Sequence, residues 1–208
     1  MNPKNNPTWK IYLSEKRNRI ILFVSLLTLA LTLLGFLHFL TFNEGRVGYL
    51  FHDPVLSLFS PFNISLFTFI VTYSLVLYGI ASAFKTPVLL VRLLQGYMFM
   101  TLLRMACLYF VPLEPPADII PLYDAFLKLS FYSGRDNLKD LFFSGHTATM
   151  FLFAFAFEDK KLKIIFTSGA ILVGMLVLLQ HVHYSIDVVA APFVSWTSLK
   201  IQEKINYI

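Results

Sequence analysis

The stretch LKIIFTSGAILVGMLVLLQHVHYSID, residues 162–187, sets a long apolar run directly against a cluster of ionisable residues. The apolar part has the roughly 20 residues that a helix needs to cross a hydrocarbon core, where every backbone polar group must find its partner inside the helix. The polar part holds His181, His183 and Asp187 where that helix would leave the hydrocarbon. Ionisable groups at such a depth are costly enough to mark a site or a pathway. Working outward, residues 20–42, 63–84, 88–111, 141–157 and 184–201 join 162–182 as candidate spans. The expected fold is therefore all-α, a polytopic membrane protein with a six-transmembrane-helix bundle. The fourth span is short before Glu158, and the sixth contains Asp187, Pro192 and several hydroxyl residues.

Composition agrees, since 57% of the 208 residues are hydrophobic and 14% charged, where a soluble domain has about a quarter charged. The connections are too short for a separate soluble domain, which gives a cytoplasmic segment over residues 1–19 and one transmembrane catalytic domain over 20–208. The run after residue 19 is too long for a signal h-region and no small-residue cleavage pattern closes it, so it is expected to stay as the first helix. Net charge is +5, but the basic residues flank apolar spans instead of forming an aromatic-interleaved stripe, so nucleic acid is not an expected partner. Lys4, Lys10, Lys16, Arg17, Arg19, Lys85, Lys160, Lys161, Lys163, Lys200 and Lys204 all fall on one side of six spans. Short-loop lysine and arginine mark the cytoplasmic face, so both termini are expected there. The 112–140 loop opposite sets Glu114, Asp118, Asp124, Asp136 and Asp140 against Lys128, Arg135 and Lys139. Cys107 lies within an apolar run, and a single cysteine forms neither an internal disulfide nor a cysteine metal cluster.

The chemistry-bearing residues converge by parity. His146, in DLFFSGHTATM, opens span four, while His183 and Asp187 sit between spans five and six; one descends and the next returns, so both segments reach the outer face. Spaced i, i+4, His183 and Asp187 share one helix face within hydrogen-bond reach, and a carboxylate there fixes the imidazole tautomer. Ser144 and Gly145 precede or open a helix, where N–H groups and the dipole favour a phosphate, and Gly145 lets an anion come close. Arg104, near the outer end of span three, is a candidate to hold phosphate oxygens; snorkelling or a pair with Asp187 is the structural alternative. His38 and His181 read first as helix-packing polar groups, with a supporting role beside the site the lesser alternative for His181. His52 and Asp53 could be turn residues before Pro54 or part of the site.

These motifs resemble the type 2 phosphatidic acid phosphatase superfamily, and more closely its sphingomyelin synthase-like branch. The resemblance rests on LFFSGHTAT, on HVHYSIDVVAA and on the arginine-bearing VRLLQGYMFMTLLRMACLYFVPLEP, with RVGYLFHDPVL (residues 46–56) fitting the same branch. It implies a lipid phosphotransferase that moves a phospho-head group from a phospholipid donor to ceramide or a related lipid alcohol acceptor. His183 would be the nucleophile, Asp187 its orienting acid and His146 the proton donor and acceptor. Arg104, Ser144 and Gly145 would bind the phosphate, with Arg46, Asp53, Tyr184 and Asp140 as accessory candidates; no metal or cofactor enters this scheme. The chain departs from the phosphatase branch at Phe143 before Ser144, and at Leu176-Val177 where that branch has Ser-Arg. Absence of that arginine is a feature of the synthase-like branch and favours transfer over hydrolysis of phosphatidic acid-like substrates. Lys85 and Arg92 match a Lys-x6-Arg spacing, but the expected topology sets them on the cytosolic side, away from His146.

Two other classes stay open on the residues. His181-x-His183 with Asp187 and His146 could serve a metal-dependent hydrolase, although helical spacing turns His181 aside. Buried histidine and aspartate also serve proton relays in transporters, but no broken-helix repeat is visible. The compact chain points to a bacterial inner membrane with the site facing outward; oligomeric state is not legible.

Overall fold

The computed structural model describes residues 7–122 and 137–206. Lys4, Asp124, Lys128, Arg135 and Asp136, counted above among the loop charges, lie outside the described residues. The described residues are helical with no strand: α1 Trp9–Ser14, α2 Lys16–Glu44, α3 Ser65–Ala83, α4 Pro87–Phe110, α5 Gly145–Ala156, α6 Lys160–Leu179 and α7 Ser185–Asn206, with a 3-10 turn at Leu56–Leu58. Each of the six expected spans contains one helix, α2 to α7. Four of these, α2, α3, α4 and α6, are long and apolar enough to cross a membrane, which fits an integral membrane protein.

Several boundaries differ from the sequence expectation. Helix α2 begins at Lys16, not residue 20, and α1 precedes it. Trp9 Nε1 donates to the Phe84 carbonyl at 2.6 Å, tying α1 to the α3–α4 connection. Helix α5 has only 12 residues, because residues 141–144 do not join it; the Ser144 N–H bonds instead to the Asp187 carbonyl at 3.1 Å. Its side chains Ala148, Met150, Leu152, Ala154 and Ala156 are buried, and it packs against α6, α7, α4 and α3. It is the centre of the bundle. Helix α7 carries Pro192, which removes one intrahelical donor, and the nearby Ser195 hydroxyl bonds the carbonyls of Ala148 and Ala191 at 2.7 and 2.8 Å.

Helix starts and stops have local causes. Pro87 opens α4, where its missing N–H would be unpaired in any case. Asp159 caps α6 by accepting from Leu162 N–H at 2.9 Å. At the other end of α6, His181 takes a left-handed conformation with φ 54°, and two bonds close the turn: His181 N–H to Leu178 and Val182 N–H to Val177, at 2.9 and 3.0 Å. This reversal is the arrangement usually made with glycine, and it delivers His183 to the start of α7.

The two ends of the bundle are distinct. At one end Trp9 meets Phe84 and Arg92 pairs with Glu203 at 2.7 Å, so α1 and the last turns of α7 lie there. At the other, Asn43 donates to the Lys139 carbonyl at 2.9 Å, Phe62 N–H to Leu179 at 2.9 Å, and Ser144 N–H to Asp187. The lipid-facing surface is apolar, as on α2, where Phe23 and Leu31 are 65% and 59% exposed.

Candidate active site

The site is built at that second end from the starts of α5 and α7. Asp187, in the first turn of α7, is fully buried. Its Oδ2 lies 3.2 Å from His183 Nδ1 and accepts the Tyr184 N–H at 3.0 Å. The i, i+4 contact expected from spacing is therefore made, but by His183 in the turn before α7, not on a shared helix face. Asp187 Oδ1 is buried with no hydrogen-bond partner among the described residues. With Nδ1–H turned to Asp187, the lone pair of His183 resides on Nε2.

The bond from Ser144 N–H to the Asp187 carbonyl brings the SGH turn beside this pair. Ser144 occupies the N-cap position of α5 with no side-chain bond to the helix backbone, its Oγ lying 3.1 Å from Thr147 Oγ1, and His146 follows in the first turn, half-buried. At Gly145 a Cβ would stand 1.8 Å from Arg104 Nη1, the far end of a flexible side chain, so the Arg104 guanidinium closes on Gly145. Arg104 is 8% exposed, and its Nε and Nη2 both lie 2.9 Å from Asp140 Oδ1. The carboxylate beside Arg104 is thus Asp140, not Asp187. Rings of Phe36 and Phe143 lie 5.9 and 5.6 Å from the guanidinium carbon.

The accessory candidates fall into two groups. Asp53 is 5% exposed; one oxygen accepts the Ser185 N–H at 2.5 Å and the other the Val55 N–H at 2.8 Å. Burial pushes its carboxyl up, but the Ser185 N–H and hydroxyl and the N–H groups of Val55 and Leu56 outweigh it and hold the carboxyl below its ordinary value. Tyr184 packs edge-on to Phe51 at 5.4 Å and donates its hydroxyl to the Glu114 carbonyl at 2.8 Å. Arg46 is turned to the carbonyls of Leu108 and Tyr109 at 3.2 and 3.0 Å, where it braces α2 against α4. His181 engages a different acid from His183: its Nδ1 is 2.9 Å from Asp118 Oδ1, and its ring lies 5.2 Å from Phe59. Arg92 bonds the Ala156 carbonyl and Glu203, 12 residues and thus about 18 Å along α4 from Arg104.

Sequence reasoning missed the supports beneath this centre. Gln180 is fully buried; its amide donates to Ser65 Oγ and the Ile120 carbonyl at 2.7 and 3.0 Å. Lys139 pairs with Glu114 at 2.8 Å, and Glu114 also accepts the Gly48 N–H at 2.8 Å. A glutamine between an apolar run and HVH was the visible signal; the Lys139–Glu114 pair had none, because it depends on how the outer loops cross.

Residues 139–204 match the family model described as PAP2 superfamily C-terminal. The match holds both histidine motifs and Asp140, and supports similarity to the type 2 phosphatidic acid phosphatase superfamily, whose members are phosphoryl-transfer or phosphatase enzymes. Comparison with curated proteins and with solved structures finds no match.

Proposed function

We propose that this protein is a lipid phosphotransferase of sphingomyelin synthase type, moving a phospho-head group from a phospholipid to ceramide or a related lipid alcohol. His183 Nε2 attacks phosphorus, the bond from phosphorus to the diacylglycerol oxygen breaks, and His146 supplies the proton that oxygen takes up. The acceptor hydroxyl then attacks the phosphohistidine, His146 takes its proton, and the N–P bond breaks. Asp187 stabilises the charged ring in both halves. Arg104 and the N-terminus of α5 bind the non-bridging oxygens, where preorganised charge lowers the barrier by several kcal/mol.

The observation that carries transfer from a phosphodiester, over hydrolysis of a phosphomonoester, is the charge state of the site wall. Among the described residues Arg104 is answered by Asp140 and Lys139 by Glu114, while Arg46 bonds neutral carbonyl oxygens and keeps its charge. A phosphomonoester dianion needs surplus positive charge, whereas a diester carries one negative charge and suits a wall whose cations are mostly paired. Purified protein incubated with labelled phospholipid and ceramide is expected to form a labelled phosphosphingolipid. Release of inorganic phosphate from phosphatidic acid, with no such product, would overturn transfer in favour of the phosphatase. His183→Ala is expected to lose all turnover, and Asp187→Asn to lose about 10²–10⁴-fold in kcat through the wrong tautomer.

A further inference from the structure

We propose that Asp53 is a positioning residue for the histidine centre, acting through the first turn of α7; the proposal rests on the phosphohistidine reading above and adds a part to it. Asp53 and Ser185 are 132 residues apart, yet the carboxylate takes the Ser185 N–H at 2.5 Å. That N–H has no acceptor within its own helix. Ser185 stands midway between His183 and Asp187, so the bond holds the backbone on which both members of the pair are mounted. The clamp is itself held, because the second Asp53 oxygen accepts from Val55 and Leu56 at 2.8 and 3.4 Å. Leu56 in turn packs with Leu113, Leu141 and Tyr184 in one buried apolar cluster. The first outer loop thereby fixes the α7 start from one side while Asp187 fixes it from within, through the Tyr184 N–H. The negative charge also sits at the positive end of the α7 dipole.

The reaction needs His183 Nε2 in line with phosphorus, and a displacement near 1 Å costs about 10²-fold in rate. Full-length protein in detergent micelles is compared as wild type, Asp53→Ala, Asp53→Asn and Ser185→Pro. Asparagine has one acceptor oxygen where Asp53 uses two, so Asp53→Asn can keep the Ser185 bond while it drops the charge and the bonds from Val55 and Leu56. Asp53→Ala is expected to lower kcat by about 10²-fold with KM nearly unchanged, and Asp53→Asn to recover part of that loss. Hydrogen exchange at the Ser185 amide is expected to quicken in Asp53→Ala and to stay slow in Asp53→Asn. Equal loss in both variants, or a change confined to KM, overturns the proposal. If Asp53→Ala does not fold, Ser185→Pro decides: proline suits the first helical position and removes both Ser185 groups that Asp53 engages, the N–H and the hydroxyl, so wild-type kcat there overturns it. Exchange that responds in a protein turning over no lipid overturns the reaction and leaves the clamp. Turnover with exchange indifferent to Asp53 overturns the clamp and leaves the reaction.

Discussion

At the end of α6, His181 occupies a backbone conformation that costs an L-residue roughly 1–2 kcal/mol relative to glycine, with φ 54°. The side chain offsets this through Asp118, 2.9 Å away, and through Phe59. The His181 hydrogen bond is the main cause that holds the Asp118 carboxyl below its ordinary value. His181→Ala keeps the backbone cost and loses the contact, whereas His181→Gly loses the contact but relieves the backbone. The glycine variant is therefore expected to be the more stable of the two by about 1 kcal/mol, read as the difference in thermal unfolding midpoint in detergent; an alanine variant equal to glycine would show that the turn is not strained there. Sequence spacing separated His181 from His183 correctly, because two residues cannot point the same way on a helix. The real separator is this turn, whose left-handed residue is not glycine and so gave no signal.

Between elements, the Lys139–Glu114 pair joins the segment entering α5 to the loop leaving α4, and the Gly48 N–H brings in the loop after α2. Glu114 also lies next to Leu113, whose isolated bridge to Tyr49 holds the same two loops. The Lys139 hydrogen bond, then the Gly48 N–H, hold the Glu114 carboxyl below its ordinary 4.5. A depressed carboxyl stabilises the fold fully above the unfolded value, and that contribution is lost as pH falls through the folded one. The wild-type thermal midpoint is thus expected to drop below about pH 4.5 more steeply than that of Glu114→Gln, which lies lower at neutral pH; parallel curves would mean that the strut carries no folding energy. Six helices were legible from apolar run length alone. The shortness of α5 was not, because residues 141–144 are as apolar as the helix they precede, and only the Ser144–Asp187 backbone bond ends it there. Arg104 was singled out as an isolated cation in an apolar span, but its partner Asp140 was hidden by the α4–α5 register, which no local pattern encodes.

Over the whole molecule, α1 with the last turns of α7 and the candidate site occupy opposite ends of one bundle, and the charge pattern predicts which end faces the cytoplasm. Helix α5 alone spans about 18 Å, short of a hydrocarbon core of about 30 Å, so a crossing here includes the bent, non-helical residues 141–144. Such a crossing is tolerable because α5 is enclosed by α3, α4, α6 and α7, so its non-helical approach meets protein, not lipid. With the six crossings expected from the sequence, Lys10, Lys16, Lys85, Lys160, Lys161 and Lys204 fall at the end opposite His183. The short-loop lysine rule then predicts that this end is cytoplasmic and that the site faces outward. The single native cysteine, Cys107, can be replaced by serine and a reporter cysteine placed at Val47, 90% exposed, or at Lys161. In spheroplasts an impermeant maleimide is expected to modify Val47→Cys at once and Lys161→Cys only after the membrane is broken. The reverse pattern would turn the histidine centre toward the cytoplasm, where it would draw its lipids from the opposite leaflet. Both positions reacting before rupture would remove an odd number of crossings between them, and with it the convergence of α5 and α7 at one membrane face.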